Sequence, residues 1–362
     1  MALSCGIVGL PNVGKSTLFS AFSEAEAEVG NFPFCTIEPN TAIVEVPDER
    51  LEEIHSRIQT QKVIPAVVQV TDIAGLVKGA SEGEGMGNQF LGNIKECSAI
   101  MHVVRCFGGD KVVREEPVDP IGDIEVIELE LALADLSTVR RAMERVAKKA
   151  RVDKDLALEL AVMVRAEELL AGGGQMRAEE WNDFERKVLR PLCLMTLKPV
   201  LYVANVAEDD LDGSSDYAQQ VANYAEKNRS EWRAVCGDLE LELRRIDEEE
   251  TQMFMDELGV EELGLGRLIK AIYKLLGLQT YFTAGEKEVR AWTIRAGDTA
   301  PKAAGVIHTD FENKFIRAQI YGLEDLIEHS TEAAVKAAGK LRTEGKEYLM
   351  QEGDIAHFLF GS

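Results

Sequence analysis

The chain has few of the features that hold disulfide-bonded, metal-clustered or membrane proteins together. Its six cysteines, Cys5, Cys35, Cys97, Cys106, Cys193 and Cys236, show no C-x-x-C or zinc-type spacing and several lie in strand-like apolar runs. They read as reduced packing residues rather than a disulfide framework or a metal site. The histidines His55, His308, His329 and His357 lack metal spacing as well and read as structural. No apolar run reaches the length of a membrane span, and there is no low-complexity tract or internal repeat. Positive charge is also in deficit: 40 Lys and Arg face 63 Asp and Glu, a net charge of -23. That balance excludes a protein that coats nucleic acid through its overall field. The N-terminus has no basic leader, and its apolar start runs into a loop that cleavage of a signal peptide would destroy, so a cytoplasmic protein is expected. What the chain does have is a 46% hydrophobic content over 362 residues, enough for two or three domains with cores.

The most specific pattern is Gly9-Leu-Pro-Asn-Val-Gly-Lys-Ser-Thr17, placed directly after the apolar run Cys5–Leu10. G-x-x-x-x-G-K-[ST] between a strand and a helix is a phosphate-binding loop. The glycines let the backbone curl so that its N–H groups converge on anionic oxygens. Lys15 then reaches the β- and γ-phosphates, Ser16 offers a hydroxyl to Mg²⁺, and the helix predicted over Ser16–Ala25 directs its N-terminal dipole at the ligand.

Residues 1–122 alternate strand-like runs (Cys5–Leu10, Ile43–Val46, Ala66–Asp72, Ala99–Arg105) with helical or loop segments, the pattern of a mostly parallel sheet. From Asp123 apolar residues recur at steps of three and four: Leu129, Ala132, Leu136, Val139, Met143, Val146 and Ala150, then Leu156, Leu160, Met163 and Leu170. This predicts two helices paired as an antiparallel hairpin, ended by Gly172-Gly173-Gly174, with another short helix over Trp181–Val188. The strand Pro199–Asn205 restores the α/β texture. The expected division is a nucleotide-binding domain of residues 1–122 and 196–278, a helical insert of 123–195 and a small α+β domain of 279–362. In the last, strands are predicted over Glu288–Ile294 and Phe315–Ile320, a helix over Pro301–Ile307 and a hairpin over Tyr348–Phe360 turning at Glu352-Gly353-Asp354. Residues 279–362 carry ten basic and thirteen acidic side chains and are nearly neutral. Between Arg140 and Lys154 seven basic residues stand against two acidic ones. A solvated helix face and an RNA-docking patch both explain this stretch.

The neighbours of the phosphate loop narrow the chemistry. Asp72-Ile-Ala-Gly75 closes a strand rich in β-branched residues, the D-x-x-G arrangement in which Asp72 reaches Mg²⁺ through water and the Gly75 amide senses the γ-phosphate. Five glycines from Gly79 to Gly92 follow, suited to a segment that reshapes with nucleotide state or to a merely flexible loop. Thr36 stands where switch proteins place a Mg²⁺- and γ-phosphate-binding threonine; an ordinary turn threonine is the competing reading. Leu76 occupies the place of the glutamine that orients the attacking water and can neither donate nor accept a hydrogen bond, so hydrolysis is slow or uses other groups. Lys15, Asp72, Gly75 and Leu76 are thus the candidate catalytic set. Guanine-specific proteins carry N-K-x-D after a later strand, whereas this chain has Asn205-Val206-Ala207-Glu208. Glu208 is one methylene longer than the guanine-reading Asp, and Val206 replaces the Lys that packs under the base. Loss of guanine preference in favour of ATP is expected.

Gly9–Thr17, Asn31-Phe-Pro-Phe-Cys-Thr-Ile-Glu-Pro-Asn40, Asp72-Ile-Ala-Gly-Leu-Val-Lys-Gly-Ala80, His102-Val-Val-Arg-Cys-Phe107 and Leu278-Gln-Thr-Tyr-Phe-Thr-Ala-Gly285 closely resemble the YchF family of Obg-like ATPases. The resemblance covers nearly the whole chain, and the order of parts is similar: a GTPase-type domain, an inserted coiled-coil domain and a C-terminal TGS domain of β-grasp type. It implies ATP preferred over GTP, Mg²⁺ dependence, a hydrophobic residue at the Leu76 position and ribosome association in translation or stress control. By the same resemblance Asn12, Val13, Gly14, Lys15, Ser16 and Thr17 bind the triphosphate, and Ser16 and Thr36, with Asp72, hold Mg²⁺. Asn205 and Val206 lie against the base, with Val235 and Cys236 adding backbone contacts; Glu208 joins this candidate set from the comparison with N-K-x-D. Related proteins with Asn at the position of Asn12 can bind K⁺ there, which extends to a K⁺ site as a hypothesis. Some family members carry a catalytic His after the His102–Phe107 motif; here the matching stretch has Arg114 nearest that place and no His.

Three readings therefore stand. The first is a slowly hydrolysing ATP switch whose helical and TGS domains report its state to a ribosome or RNA. The second is a nucleotide-regulated RNA- or ribosome-binding module with negligible turnover. The third, a small-molecule phosphotransferase, is disfavoured by the two strand-end motifs D-x-x-G and N-x-x-E. The RNA reading would add Arg290, Arg295, Lys314 and Arg317 of the TGS-like part, and a protein-docking surface there is the alternative.

Overall fold

The computed structural model describes residues 3–25, 40–58, 60–73, 86–108, 117–260, 262–285 and 287–361. The elements in the first part of the chain are β1 (Ser4–Val8), α1 (Lys15–Glu24), β2 (Thr41–Glu45), α2 (Glu49–Arg57), β3 (Lys62–Ile64), β4 (Val67–Asp72), α3 (Met86–Glu96) and β5 (Ala99–Arg105). Next come α4 (Pro120–Ala147), α5 (Lys154–Ala171), α6 (Asp183–Leu189), β6 (Val200–Asn205), α7 (Asp216–Lys227), β7 (Glu231–Val235), α8 (Gly237–Leu243), α9 (Glu248–Leu258) and α10 (Gly264–Leu275). The chain closes with β8 (Leu278–Ala284), β9 (Glu288–Arg295), α11 (Ala300–Ile307), α12 (Thr309–Asn313), β10 (Phe315–Tyr321), α13 (Leu323–His329), α14 (Glu332–Ala337), β11 (Arg342–Glu344) and β12 (Ile355–Phe360).

The chain folds as two compact units, one built around residues 69–268 with the N-terminal strand and helix, the other combining 43–68 with 269–362. In the first, six strands run in the order β2-β4-β1-β5-β6-β7. β4, β1, β5, β6 and β7 are mutually parallel. β1, β5 and β6 are buried along their whole length, as the unbroken apolar runs demand of strands covered on both faces. The chain moves from β1 outward to β4 on one side and to β5 on the other. β1 therefore sits at the topological switch point, where open α/β sheets bind ligands at their strand carboxyl ends.

α4 begins with Asp119, whose carboxylate accepts the Gly122 N–H at 3.0 Å, and with Pro120 in the first turn. Its apolar face packs on α5. Ala132, Leu136 and Val139 meet Val162, Met163, Ala166 and Leu170, and Trp181 and Leu189 close the cluster. The expected seam fails at its first residue: Leu129 is 53% exposed. The opening turns of α4 bury Ile124, Ile127 and Leu131 instead, so the buried stripe is displaced from the one extrapolated back from Ala132. Asp135 is wholly buried, and its carboxylate accepts the Met195 and Thr196 N–H groups at 3.1 and 2.8 Å and the Thr196 hydroxyl at 2.7 Å. A buried carboxylate is tolerable there because three donors surround it.

In the second unit the strand order is β11-β10-β12-β8-β9-β3. β8 and β9 form an antiparallel pair, β12 runs parallel to β8 and antiparallel to β10, and β3 adds to β9 in parallel. The hairpin expected over Tyr348–Phe360 is not formed. A turn is present at Glu352-Gly353, but residues 348–351 are not a strand, and β12 pairs with β10 and β8. The Arg50 guanidinium donates to both Asp48 carboxylate oxygens at 2.8 and 2.7 Å and to Glu352 at 2.6 Å. The other Glu352 oxygen accepts the Thr280 N–H at 2.9 Å.

Candidate functional site

The phosphate loop leaves the carboxyl end of β1 and enters α1 through Gly14, which has φ 92° and stands at the N-cap. That left-handed conformation favours glycine. A side chain would also collide with the Asn205 amide, which lies within contact distance of where the Gly14 Cβ would be. At Gly9 a Cβ would come to 2.5 Å from the Val103 carbonyl of β5. Gly9 is thus forced by close backbone approach, and Gly14 by its left-handed φ and the Asn205 side chain. The first-turn N–H groups of α1 have no partner inside the helix, which leaves donors for anionic oxygens.

Lys15 is buried and its ammonium donates to the Leu10 carbonyl at 2.6 Å, folding over the loop. Burial pushes the Lys15 pKa down, and the nearby Asp72 carboxylate opposes that. Burial pushes the Asp72 carboxyl up, and Lys15 opposes it in turn. Asp72 ends β4, with its N–H held by the Asn40 carbonyl at 2.8 Å. Its Oδ1 is buried without a hydrogen-bond partner among the described residues. An orphaned carboxylate oxygen is costly unless a cation or donor meets it. A hard divalent cation bound through water fits this site, with Ser16, exposed at the start of α1, on the same loop.

Of the residues expected at the base, the structure joins Asn205 to the phosphate loop and sets Val206, Val235 and Cys236 beside it at the ends of β6 and β7. Asn205 pairs with Val235 across β6 and β7, and the Val206 N–H donates to the Val235 carbonyl at 2.9 Å. Asn205 is buried; its Nδ2 donates to the Val13 carbonyl at 2.9 Å and its Oδ1 accepts the Gly237 N–H at 3.0 Å. One N–H and one lone pair of the amide are therefore committed inside the protein. Glu208 lies in a short 3₁₀ turn and is exposed. Asn12 is exposed, with φ 60°. Thr36, Gly75, Leu76 and Arg114 lie outside the described residues.

Two features escaped the sequence reading. Leu10, Val103 and Gly237 act through backbone groups, which leave no side-chain signature; only the position of Gly237, opening α8 just after β7, hints at its role. The second is a buried polar cluster behind the loop. Glu128 of α4 accepts from Arg177 and from the Tyr202 hydroxyl of β6, and Arg177 donates to the same hydroxyl at 2.8 Å. The His102 ring of β5 lies 5.6 Å from the Tyr202 ring. Burial, reinforced by the Arg177 and Lys15 charges, depresses His102 to about 3, so it is neutral near pH 7.

A glycine-formed loop at a sheet switch point, a buried lysine and a strand-end aspartate together define a P-loop nucleoside triphosphatase of the GTPase fold. Residues 4–150 match the family model described as "50S ribosome-binding GTPase", and residues 278–361 match YchF-GTPase_C, described as "Protein of unknown function (DUF933)". The chain is 53% identical to the "Ribosome-binding ATPase YchF" of Escherichia coli O157:H7 over 362 residues, 99% of each chain. It is 50% identical to the protein of the same name from Bacillus subtilis (strain 168), covering 99% of this chain and 100% of that one. A solved structure titled "Structure of the Schizosaccharomyces pombe YchF GTPase" matches with a TM-score of 0.89 at 38% identity, covering 99% of this chain and 97% of that one. The chain belongs to the YchF family. Its architecture is accordingly an α/β P-loop domain with a helical hairpin and a C-terminal α+β part of TGS type.

Proposed function

We propose that this chain is an ATP-binding, slowly ATP-hydrolysing switch that prefers ATP to GTP and associates with the ribosome in the cytoplasm. The observation that carries the nucleotide part is the Asp72 carboxylate, at a strand end beside Lys15, with a buried oxygen that has no hydrogen-bond partner among the described residues. Ser16, Thr36 and Asp72 would hold Mg²⁺, which when bound would neutralise negative charge on the triphosphate. Lys15 and the first-turn amides of α1 bind and orient the triphosphate. Asn205 ties the loop at Val13 to the Gly237 N–H that follows Val235 and Cys236, and Val206-Ala207-Glu208 replaces the guanine-reading sequence. K⁺ beside Asn12 belongs to the same reading and is tested by exchanging K⁺ for Na⁺.

The names of the curated relatives support ribosome association, and the surface supports a place for it. Arg140, Arg141, Arg145, Lys148, Lys149, Arg151 and Lys154 are all exposed at the end of the α4–α5 hairpin, a local basic tip suited to RNA phosphates. In the TGS-type part the basic residues are not gathered. β9 and β10 run in the same direction because each is antiparallel to one of the parallel pair β8 and β12, so Arg295 and Lys314 sit at opposite strand ends. We accordingly assign RNA contact to the helical insert of residues 123–195 first.

Leu76 in place of a water-orienting glutamine favours the second reading, a nucleotide-regulated module with negligible turnover. Phosphate release from ATP by the wild-type chain and by Asp72→Asn decides between them. Release that drops at least about tenfold in the variant, with ATP still bound, supports the switch; binding without release by the wild type supports the module.

A further inference from the structure

Residues 238–262 hold eleven acidic and two basic side chains. Within them α9 is well terminated: the Asp247 carboxylate accepts the Glu250 N–H at 2.9 Å, and Gly259 closes the helix with φ 66°. Its packing is thin by comparison. Thr251 and Met255 are half-buried, while Met253, Phe254 and Leu258 are exposed by 71%, 49% and 44%. Helices of this length gain most of their stability from burial of an apolar face, and here much of the apolar surface faces solvent.

The exposed residues are ordered. Glu249, Glu250, Met253, Phe254, Glu257 and Leu258 recur at helical spacing and form one continuous band, an apolar strip edged by carboxylates. Exposed apolar strips of this kind mark interaction sites, and the charge selects the occupant. Carboxylates repel RNA phosphates and anionic lipid. They attract lysine and arginine, and Met and Phe accept aliphatic anchors through their adaptable side chains.

We propose that α9 is a docking face for a lysine- or arginine-rich amphipathic polypeptide segment, held by apolar anchors on Met253, Phe254 and Leu258 and by ion pairs to Glu249, Glu250 and Glu257. The occupant is a basic protein extension and not RNA. Leu258 and Met255 also line a small cavity shared with Val235 and Cys236, which places the docking helix next to the base end of the nucleotide site. That such a segment belongs to a ribosomal protein rests on the ribosome reading above; the docking chemistry does not.

The test uses the full chain and a fluorescent synthetic peptide of lysine and leucine at amphipathic helical spacing, with binding followed by anisotropy. Three variants are compared: Met253→Ser/Phe254→Ser, Glu249→Lys/Glu257→Lys, and the control Glu324→Lys/Glu328→Lys on the exposed face of α13, with circular dichroism confirming that each is folded. Binding should weaken at least about tenfold in both α9 variants, change little in the control and decline with added salt. No binding by the wild type, unchanged binding in the α9 variants or equal weakening in the control would overturn the proposal. Co-sedimentation of the same proteins with purified ribosomes separates the two readings. A wild type that fails to co-sediment contradicts the ribosome reading while the peptide result still judges α9. A wild type that co-sediments no better than the α9 variants shows that α9 is not the ribosomal contact.

Discussion

Asn205 and Val13 are joined across the site: the Asn205 amide nitrogen donates to the Val13 carbonyl of the phosphate loop at 2.9 Å. The same amide receives the Gly237 N–H at 3.0 Å, so one side chain fixes the phosphate loop relative to the junction of β7 and α8.

Asn205→Ala removes both bonds inside a buried site, a loss of about 1–3 kcal/mol for the groups left unsatisfied. Because the amide acts on the loop, ATP and GTP binding should weaken together, by about tenfold or more. Calorimetric titration of both nucleotides checks this. Weakening confined to ATP would mean that the amide reads the base instead.

Arg177, Glu128 and Tyr202 form a buried charge cluster between the root of the helical insert and β6. Arg177→Met strands the Glu128 carboxylate and should destabilise the fold by about 3–5 kcal/mol. Glu128→Met combined with Arg177→Met should recover most of that loss, since neither charge is then left alone. Tyr202→Phe should cost only about 1–2 kcal/mol. Denaturant unfolding of the four proteins distinguishes a charge-pairing role from simple packing, in which the double variant would be the least stable.

His102 makes stability depend on pH with a definite sign. The native ring titrates near 3 and the unfolded one near 6.5, so between these values the unfolded chain takes up a proton that the native state refuses. Stability from this group is complete above about pH 6.5 and is lost as pH falls toward 3. Unfolding midpoints of the wild type and His102→Gln, compared at about pH 7 and about pH 5, should show a smaller pH dependence in the variant. An equal dependence would mean that the His102 environment is polar enough to hold the charged ring.

The parts legible in the sequence are those where one physical cause dominates. β1, β5 and β6 are buried on both faces, so their apolar runs mark them without ambiguity, and the phosphate loop is legible because backbone geometry demands its glycines. What stayed hidden depends on distant partners. β12 is placed by β10 and β8 rather than by the residues just before it, although the turn at Gly353, with φ 85°, was readable. The packing of residues 43–68 with 269–362 rests on β3 joining β9 and on Arg50 meeting Glu352, pairings that no local pattern announces. Leu129 shows the same limit within a helix, because its surroundings change from hairpin to sheet along the length of α4. At the site, Lys15, Asp72 and Asn205 were identifiable by residue type, whereas the Leu10 and Gly237 backbone groups that hold two of them were not.

The measurement that bears most directly on the central claim is a paired titration of ATP and GTP, with Mg²⁺ and K⁺ present, onto the wild-type chain and Glu208→Asp, with phosphate release followed in parallel. An adenine-selective hydrolytic switch binds ATP more tightly than GTP and releases phosphate from it, and Glu208→Asp narrows the difference by restoring part of the guanine-reading geometry. Tighter binding of GTP by the wild type would contradict the account, because Glu208 would then still read guanine.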